Sequence, residues 1–206
     1  MYSASIPKPP LRPAASLAEL VQSINELVSG AQLSLLRGGQ LTQHAGEATG
    51  VHLQLGVVLS AVVQLRQPGS MDPLRAAALS VGEAELPLSS PWATSQHVVF
   101  DRVSAACSAA LHHFARTQAA APTPQQQGRP GSSPLELLLV WLATYSDLFT
   151  RSSSASGCLL APDEEGSGGL LPPVWRPYQL GWRDLWAAAQ DPGLRTALHC
   201  EPPQQQ

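Results

Sequence analysis

The chain has 206 residues, of which 44% are hydrophobic and 13% charged, and its formal net charge is −3. It has no clustered Lys and Arg of the kind that binds phosphates, and no apolar run reaches the roughly 20 residues that span a bilayer. Three Cys do not make a disulfide framework in a chain of this length. These features favour a protein of the cytosol or nucleus whose partners are other proteins.

The N-terminal part begins with a proline-rich lead and continues as a helix. Residues 1–15 hold four prolines and are expected to be disordered. Ser16 is a good N-cap, Glu19 completes a capping box, and apolar side chains follow at helical spacing as far as Val28. The sequence predicts an amphipathic packing helix that ends near Gly30.

The middle of the chain changes to the periodicity of strands. Apolar and polar residues alternate in the first two candidate strands, and the third is a β-branched, apolar run typical of a largely buried strand. The fourth contains three consecutive alanines and would equally suit a helix. The candidate strands are residues 33–35, 51–55, 57–65 and 74–81.

Helical spacing returns in the C-terminal half. Residues 94–118 place apolar side chains on one face, and residues 119–133, with a Gln tract and prolines, predict a flexible linker. The run from Ser133 to Glu136 supplies an N-cap, a proline at the first helical position and an acidic third position. It predicts a second long helix with a wide apolar face that reaches Phe149.

These elements predict one α+β domain. A small antiparallel sheet of three or four strands would be covered by three main helices, with an irregular C-terminal cap. Residues 16–118 would form the helix-sheet-helix part of the domain and residues 134–200 its C-terminal module. Residues 201–206 would form a disordered tail.

No catalytic or cofactor-binding residue is assigned from the sequence. It has no Gly-x-Ser-x-Gly elbow, phosphate-cradling Gly loop or His-Glu-x-x-His. The adjacent His112 and His113 would diverge by about 100° on a helix and cannot face one site. Cys107 lies on an apolar helix face and suits the core, and the acidic residues 163–165 are interpreted as a solvated loop.

A cluster of large side chains near the C-terminus is the candidate contact surface. Aromatic and Arg side chains concentrate at interface hot spots, and this segment looks too short to bury them all internally. The alternative is that they fold back over the sheet and the second long helix. The candidates are Trp175, Arg176, Tyr178, Trp182 and Trp186.

Two motifs carry a family resemblance. One is W-L-x-x-Y-x-x-L-F at Trp141–Phe149, and the other is L-P-P-x-x-R at Leu171–Arg176. A V-F-x-x-V helix at residues 99–103 precedes them. In this order the chain resembles, roughly over residues 16–200, the C-terminal half of the Mediator subunit 27 family, which belongs to an RNA polymerase II coactivator.

The resemblance implies a non-catalytic structural subunit in the nucleus, which supports regulation of RNA polymerase II transcription. The expected partners are other Mediator subunits, with no direct nucleic-acid or membrane contact. The family also carries an N-terminal helical half that this sequence lacks, so the chain would be a truncated or reduced version. Two alternatives stay open: a free-standing interaction module that does not assemble into Mediator, and an enzyme of unrecognised type.

The resemblance further implies a structural zinc site, built from a Cys-x-x-Cys pair and a C-terminal His and Cys. Ser153 and Ser156 stand at the two Cys positions here, and neutral hydroxyls are poor zinc ligands. The candidate ligands that remain are Cys158, His199 and Cys200. We expect no retained zinc, and expect apolar packing to hold this loop to the C-terminal segment instead. The apolar residues concerned are Leu159, Leu160, Leu170 and Trp175.

Overall fold

The structure is a computed structural model that describes residues 14–83, 94–119, 132–163 and 169–200. Within these ranges the chain folds as an α+β domain, which confirms the predicted fold class. The predicted tail and most of the predicted lead and linker lie outside the described residues.

A five-stranded antiparallel sheet forms one layer of the domain. Its strands are β1 (Ala31–Arg37), β2 (Gln40–Thr42), β3 (Gly50–Leu55), β4 (Leu59–Leu65) and β5 (Pro73–Leu79). Their order across the sheet is β2-β1-β3-β4-β5. The predicted count of three or four strands missed β2, which is only three residues long. It follows a turn in which Gly38 and Gly39 both have positive φ, 57° and 83°.

Four α-helices are found among the described residues. They are α1 (Leu17–Leu27), α2 (Val98–Ala119), α3 (Pro134–Ala143) and α4 (Trp182–Gln190). Both predicted N-caps are confirmed, because Ser16 Oγ accepts from the Glu19 amide (3.2 Å) and Ser133 Oγ accepts from the Glu136 amide (3.1 Å). None of these described helices is long and apolar enough to cross a bilayer.

Helix α4 replaces the irregular cap that the sequence predicted. Its buried residues Trp182, Leu185, Trp186 and Ala189 fall at helical spacing, which gives it one apolar face. Gly181 stands at the N-cap, and no side chain caps the helix start. The pattern was therefore present in the sequence, but the usual start signal was missing.

The three alanines that equally suited a helix lie in β5. Ala76, Ala77 and Ala78 pair with residues of β4, and α2 packs along this edge strand. Ser104 Oγ of α2 accepts a hydrogen bond from the Ala78 amide (2.8 Å). The helix thus covers part of a sheet edge that would otherwise present unpaired backbone groups.

One hydrophobic core joins the sheet to all four helices. Alternate strand residues such as Val51, Leu53 and Val63 point into it, together with the fully buried face of α3. Residues on the other face of the sheet form a smaller buried cluster of Leu36, Val62 and Leu79. The sheet and the C-terminal helices are therefore parts of one packed body.

The long apolar helix ends earlier than predicted. After Ala143 the backbone tightens into a 3-10 turn at Thr144–Asp147. Tyr145 and Leu148 stay buried, but the change of helical geometry leaves Phe149 45% exposed. The prediction that the buried face extends to Phe149 is wrong.

Candidate interaction site

Helix α3 and its 3-10 extension hold the extended segment Leu171–Tyr178 with two aromatic side chains. Trp141 Nε1 donates to the Arg176 carbonyl (3.3 Å), and the Tyr145 hydroxyl donates to the Val174 carbonyl (2.8 Å). Residues four apart lie on one face of a helix, and carbonyls two apart point to the same side of an extended segment. The packing of the helix against this one segment therefore explains the residue spacing in both motifs.

The other edge of this segment pairs with the end of the described chain. The backbones of Trp175 and Leu198 exchange two hydrogen bonds, of 2.9 and 3.1 Å. Pro172 and Pro173 of the second motif are both buried. The Trp141 helix and the proline segment therefore pack as one unit.

Asp147 lies at the centre of a cluster of three arginines, one of which is Arg176 of the extended segment. Its carboxylate is 2.7 Å from Arg151 Nε and 3.2 Å from both Arg176 Nη2 and Arg195 Nη1. Arg195 also donates to two carbonyls of the last turn of α4 (2.7 and 2.9 Å). One carboxylate thus ties α3, the extended segment and α4 together.

Burial perturbs the ionisation of several groups around this cluster. It lowers the pKa of Arg176 and Arg195 and raises the pKa of Tyr145 well above its usual value. Burial also raises the pKa of the Cys107 thiol to about 12. That thiol stays protonated, and only a thiolate is nucleophilic. Cys107 therefore acts as a core residue, as predicted.

Most of the predicted contact cluster is internal. Tyr178, Trp182 and Trp186 are 8%, 3% and 2% exposed, and Arg176 is 1% exposed. The alternative, that these side chains fold back over the core, is what the structure shows for these four residues. Trp175 is half-buried and keeps some area for a partner. A contact role for it stays a prediction, whereas burial leaves the other four little side-chain area to offer.

Several other large apolar side chains near the C-terminal unit are exposed, and four of them were assigned to packing from the sequence. These four are Phe149, Leu159, Leu160 and Leu170, with exposed fractions of 45%, 38%, 49% and 62%; we call them the apolar rim. Sequence reasoning assigned all four to packing, because apolar residue type alone does not separate a packed side chain from an exposed one. The predicted packing of the three leucines is therefore wrong.

The apolar rim lies around the first half of α2. Two short strands, β6 (Ala161–Pro162) and β7 (Leu170–Leu171), pair with each other; Leu160 directly precedes β6, and Leu170 lies in β7. Arg102 of α2 binds both carboxylate oxygens of Asp163 at 3.2 and 3.1 Å. Phe149 touches Phe100 of α2 edge-on, with 6.1 Å between ring centroids. Asp163 is thus paired rather than solvated as predicted, while residues 164 and 165 lie outside the described ranges.

A groove of about 330 Å³ opens between α2 and the β6–β7 pair. Its lining includes two small residues of α2, Ala105 and Ala109, and the aromatic residues Trp175 and Tyr178. The Arg102–Asp163 pair and His199 supply polar groups at its wall. The Arg and Asp neutralise each other, so the groove is largely an apolar recess beside the rim.

A buried Ser–His pair lies in the sheet. His52 Nε2 and Ser60 Oγ are 2.6 Å apart, and the two residues are 7% and 1% exposed. Burial lowers the pKa of His52, which favours the neutral ring. A nucleophile must meet its substrate, so this pair is better explained as a satisfied polar contact inside the domain.

The sequence pattern of the family described as Mediator complex subunit 27 matches residues 89–199, more than half of the chain. The chain belongs to this family. A similar curated protein, Mediator of RNA polymerase II transcription subunit 27 from Arabidopsis thaliana, is 27% identical over 146 residues. The alignment covers 71% of this chain and 33% of that relative, so the chain spans about a third of the relative's length.

The match to the Mediator complex subunit 27 family falls on the C-terminal unit. Residues 89–199 include α2, α3, the Asp147 cluster, the extended segment and α4. The five-stranded sheet precedes this range in the chain but shares its core. Family membership was correctly inferred from the Trp141 and Leu171 motifs, which lie at the centre of the matched range.

The residues that the family resemblance marks as zinc ligands do not form a tetrahedral donor set. Cys158 and Cys200 are exposed, and His199 Nε2 lies 3.3 Å from the Cys158 carbonyl. Within the described ranges no three His, Cys, Asp or Glu side chains are grouped to hold a metal ion. The residues present therefore do not fit zinc.

Proposed function

We propose that this chain is a non-catalytic structural subunit of the Mediator complex. It works in the nucleus and supports regulation of RNA polymerase II transcription by contacting other Mediator subunits, without direct nucleic-acid or membrane contact. The observation that carries the proposal is the family match over residues 89–199. The printed name of the Arabidopsis relative, a Mediator subunit of RNA polymerase II transcription, supports it.

The structure supports a role in docking rather than in chemistry. The motif residues Trp141, Tyr145 and Arg176 are occupied in holding the C-terminal unit together, so they build a rigid support. Trp175 lines the groove, and the exposed rim residues Leu160 and Leu170 are the chain neighbours of its lining residues Ala161 and Leu171. Burying exposed apolar area contributes about 25 cal/mol per Å², so the rim is the surface that would gain most from a partner subunit.

The direct test is affinity purification of the tagged full chain from nuclear extract of cells that express it. Mass spectrometry should find several Mediator subunits at comparable abundance. An empty purification with intact, folded bait would contradict the proposal and favour the free-standing interaction module.

A rim variant tests the surface itself. Leu160→Asp with Leu170→Asp places two charges at exposed positions, and it should reduce Mediator recovery at least tenfold. Val57→Asp is the matched control because Val57 is 90% exposed in the β3–β4 turn. Equal melting temperatures of the two variants would exclude unfolding as the cause. Undiminished recovery with the rim variant would show that Mediator binds elsewhere.

The enzyme alternative is a third outcome of the same work. It would require turnover of a substrate by protein purified away from Mediator. Ser60→Ala would remove the Ser60–His52 contact, and His199→Ala would remove a polar side chain from the lining of the groove. Activity lost in either variant would overturn the non-catalytic assignment.

A further inference from the structure

The loop from Ser153 to Cys158 is a tightly bonded turn. Ser153 Oγ accepts hydrogen bonds from the amides of Ala155 (3.3 Å) and Ser156 (3.4 Å). The Gly157 amide donates to the Ser153 carbonyl (2.8 Å), and Gly157 takes the positive φ of 70° that this turn requires. Ser153 is only 4% exposed, so its hydroxyl forms the inside of the turn.

The same turn is joined to the C-terminal segment through polar contacts. The Ser154 amide donates to the Ala197 carbonyl (2.7 Å), and the Ala197 amide donates back to Ser154 Oγ (3.2 Å). His199 Nε2 lies 3.3 Å from the Cys158 carbonyl. The leucines that were expected to make this junction face solvent. Hydrogen bonds rather than apolar packing hold the two pieces together.

The side chains at this junction are not of the kinds that bind a structural zinc. A structural zinc takes four thiolate, imidazole or carboxylate ligands, and serine hydroxyls are neutral. The Cys158 side chain is exposed, with its thiol 3.7 Å from the Ser156 carbonyl. The His199 Nδ1 atom is buried and has no hydrogen-bond partner among the described residues. One histidine nitrogen therefore sits beside the turn without a protein contact to satisfy it.

We propose that the turn Ser153–Cys158 is a metal-free knuckle: its hydrogen bonds take the place of the zinc that the family resemblance implies, and the serines at positions 153 and 156 are what excludes the metal. The first serine already accepts two backbone amides, and a thiolate at the same position would accept them as well. Returning thiolates at Ser153 and Ser156 is then sufficient to create a zinc site, completed by His199 and Cys200 of the adjoining segment.

The test compares the full chain with its Ser153→Cys/Ser156→Cys variant after equilibration with zinc and removal of the excess. We expect less than about 0.1 zinc per wild-type chain and about one per variant chain by metal analysis. Cobalt substitution should give the variant the intense visible bands of a tetrahedral thiolate site. A chelator should lower the melting temperature of the variant and leave that of the wild type unchanged.

The matched control is Ser152→Cys/Ala155→Cys, which has the same spacing shifted by one residue. It should bind no zinc, because the shifted side chains leave the inside of the turn. One zinc per wild-type chain would overturn the proposal outright. A folded Ser153→Cys/Ser156→Cys variant without zinc, or a control that binds equally well, would overturn the claim that the two serines exclude the metal. None of these outcomes depends on Mediator assembly, so they are separable from a failed purification.

Discussion

Asp147 is a single residue that contacts three arginines of the C-terminal unit at once. Its carboxylate is 15% exposed and faces three guanidinium groups, two of which belong to buried residues. Arg176 also lies over the Tyr145 ring at 5.3 Å and donates to the Pro173 carbonyl. Both buried arginines depend on the Asp147 carboxylate for opposite charge, and Asp191 adds a further negative charge near Arg195.

Replacing Asp147 with Asn should destabilise the protein by about 3–5 kcal/mol, because it removes the carboxylate that is paired with two buried arginines. Asp72→Asn is the matched control, since the Asp72–Arg66 pair has a similar 2.8 Å distance but exposed side chains. The control should cost about 0–1 kcal/mol. Urea unfolding of the two variants measures both values, and equal effects would refute the special role of the cluster.

His52 makes stability depend on pH. Burial lowers its pKa in the folded state, so below the unfolded value of about 6.5 the unfolded chain binds more protons. Stability should therefore fall as pH decreases from 7.5 to 5.5. Burial and then Arg116 lower the pKa of His113 as well, which adds to the same effect.

Melting temperatures at pH 7.5 and 5.5 measure this effect, and His52→Gln should reduce the difference. His112→Gln, at an exposed position of α2, is the control and should leave the difference unchanged. Ionisation of Glu83 does not account for a stability change between pH 7.5 and 5.5. Burial alone would raise its pKa, but hydrogen bonds from Gln96, Ser95 and Ser80 hold it at about 2. A protein that gains stability on acidification to pH 5.5 would contradict the assignment.

At the scale of helices and strands, the sequence correctly predicted the elements that carry one clear signal, such as a helix cap or a strand-like residue pattern. Helices α1 and α3 begin at their predicted caps, and β3 and β4 show alternating or β-branched runs. Three features of the fold were not predictable in this way. Strand β2 is too short to show periodicity, α4 lacks a capping side chain, and the 3-10 turn after Ala143 has no distinct composition.

The candidate site was predicted less well than the fold, for a physical reason. The apolar spacing around Trp141 correctly indicated a helix with a wide buried face. Whether Trp182 or Leu160 faces solvent depends on which surfaces meet in three dimensions, and residue type does not determine that. The extra helix α4 buried the tryptophans that a short irregular segment would have left exposed.

At the scale of the whole molecule, the family match and the folding unit differ in extent. The match covers residues 89–199, whereas the sheet lies between residues 31 and 79. Core residues of the sheet, such as Leu53, nevertheless belong to the same cluster as Leu139 and Trp186. A shared core couples the two parts energetically, so the C-terminal unit should not unfold on its own.

Hydrogen exchange followed by mass spectrometry in increasing urea should give one midpoint for peptides from β3–β4 and from α3. Leu139→Ala removes a fully buried side chain of α3 and should cost about 2–5 kcal/mol. Because the core is shared, that loss should lower the midpoint of the sheet peptides as much as that of α3. Leu41→Ala, at a 61% exposed position, should shift neither. A shift confined to the peptides of α3 and α4 would show that the C-terminal unit is an independent domain resting on the sheet.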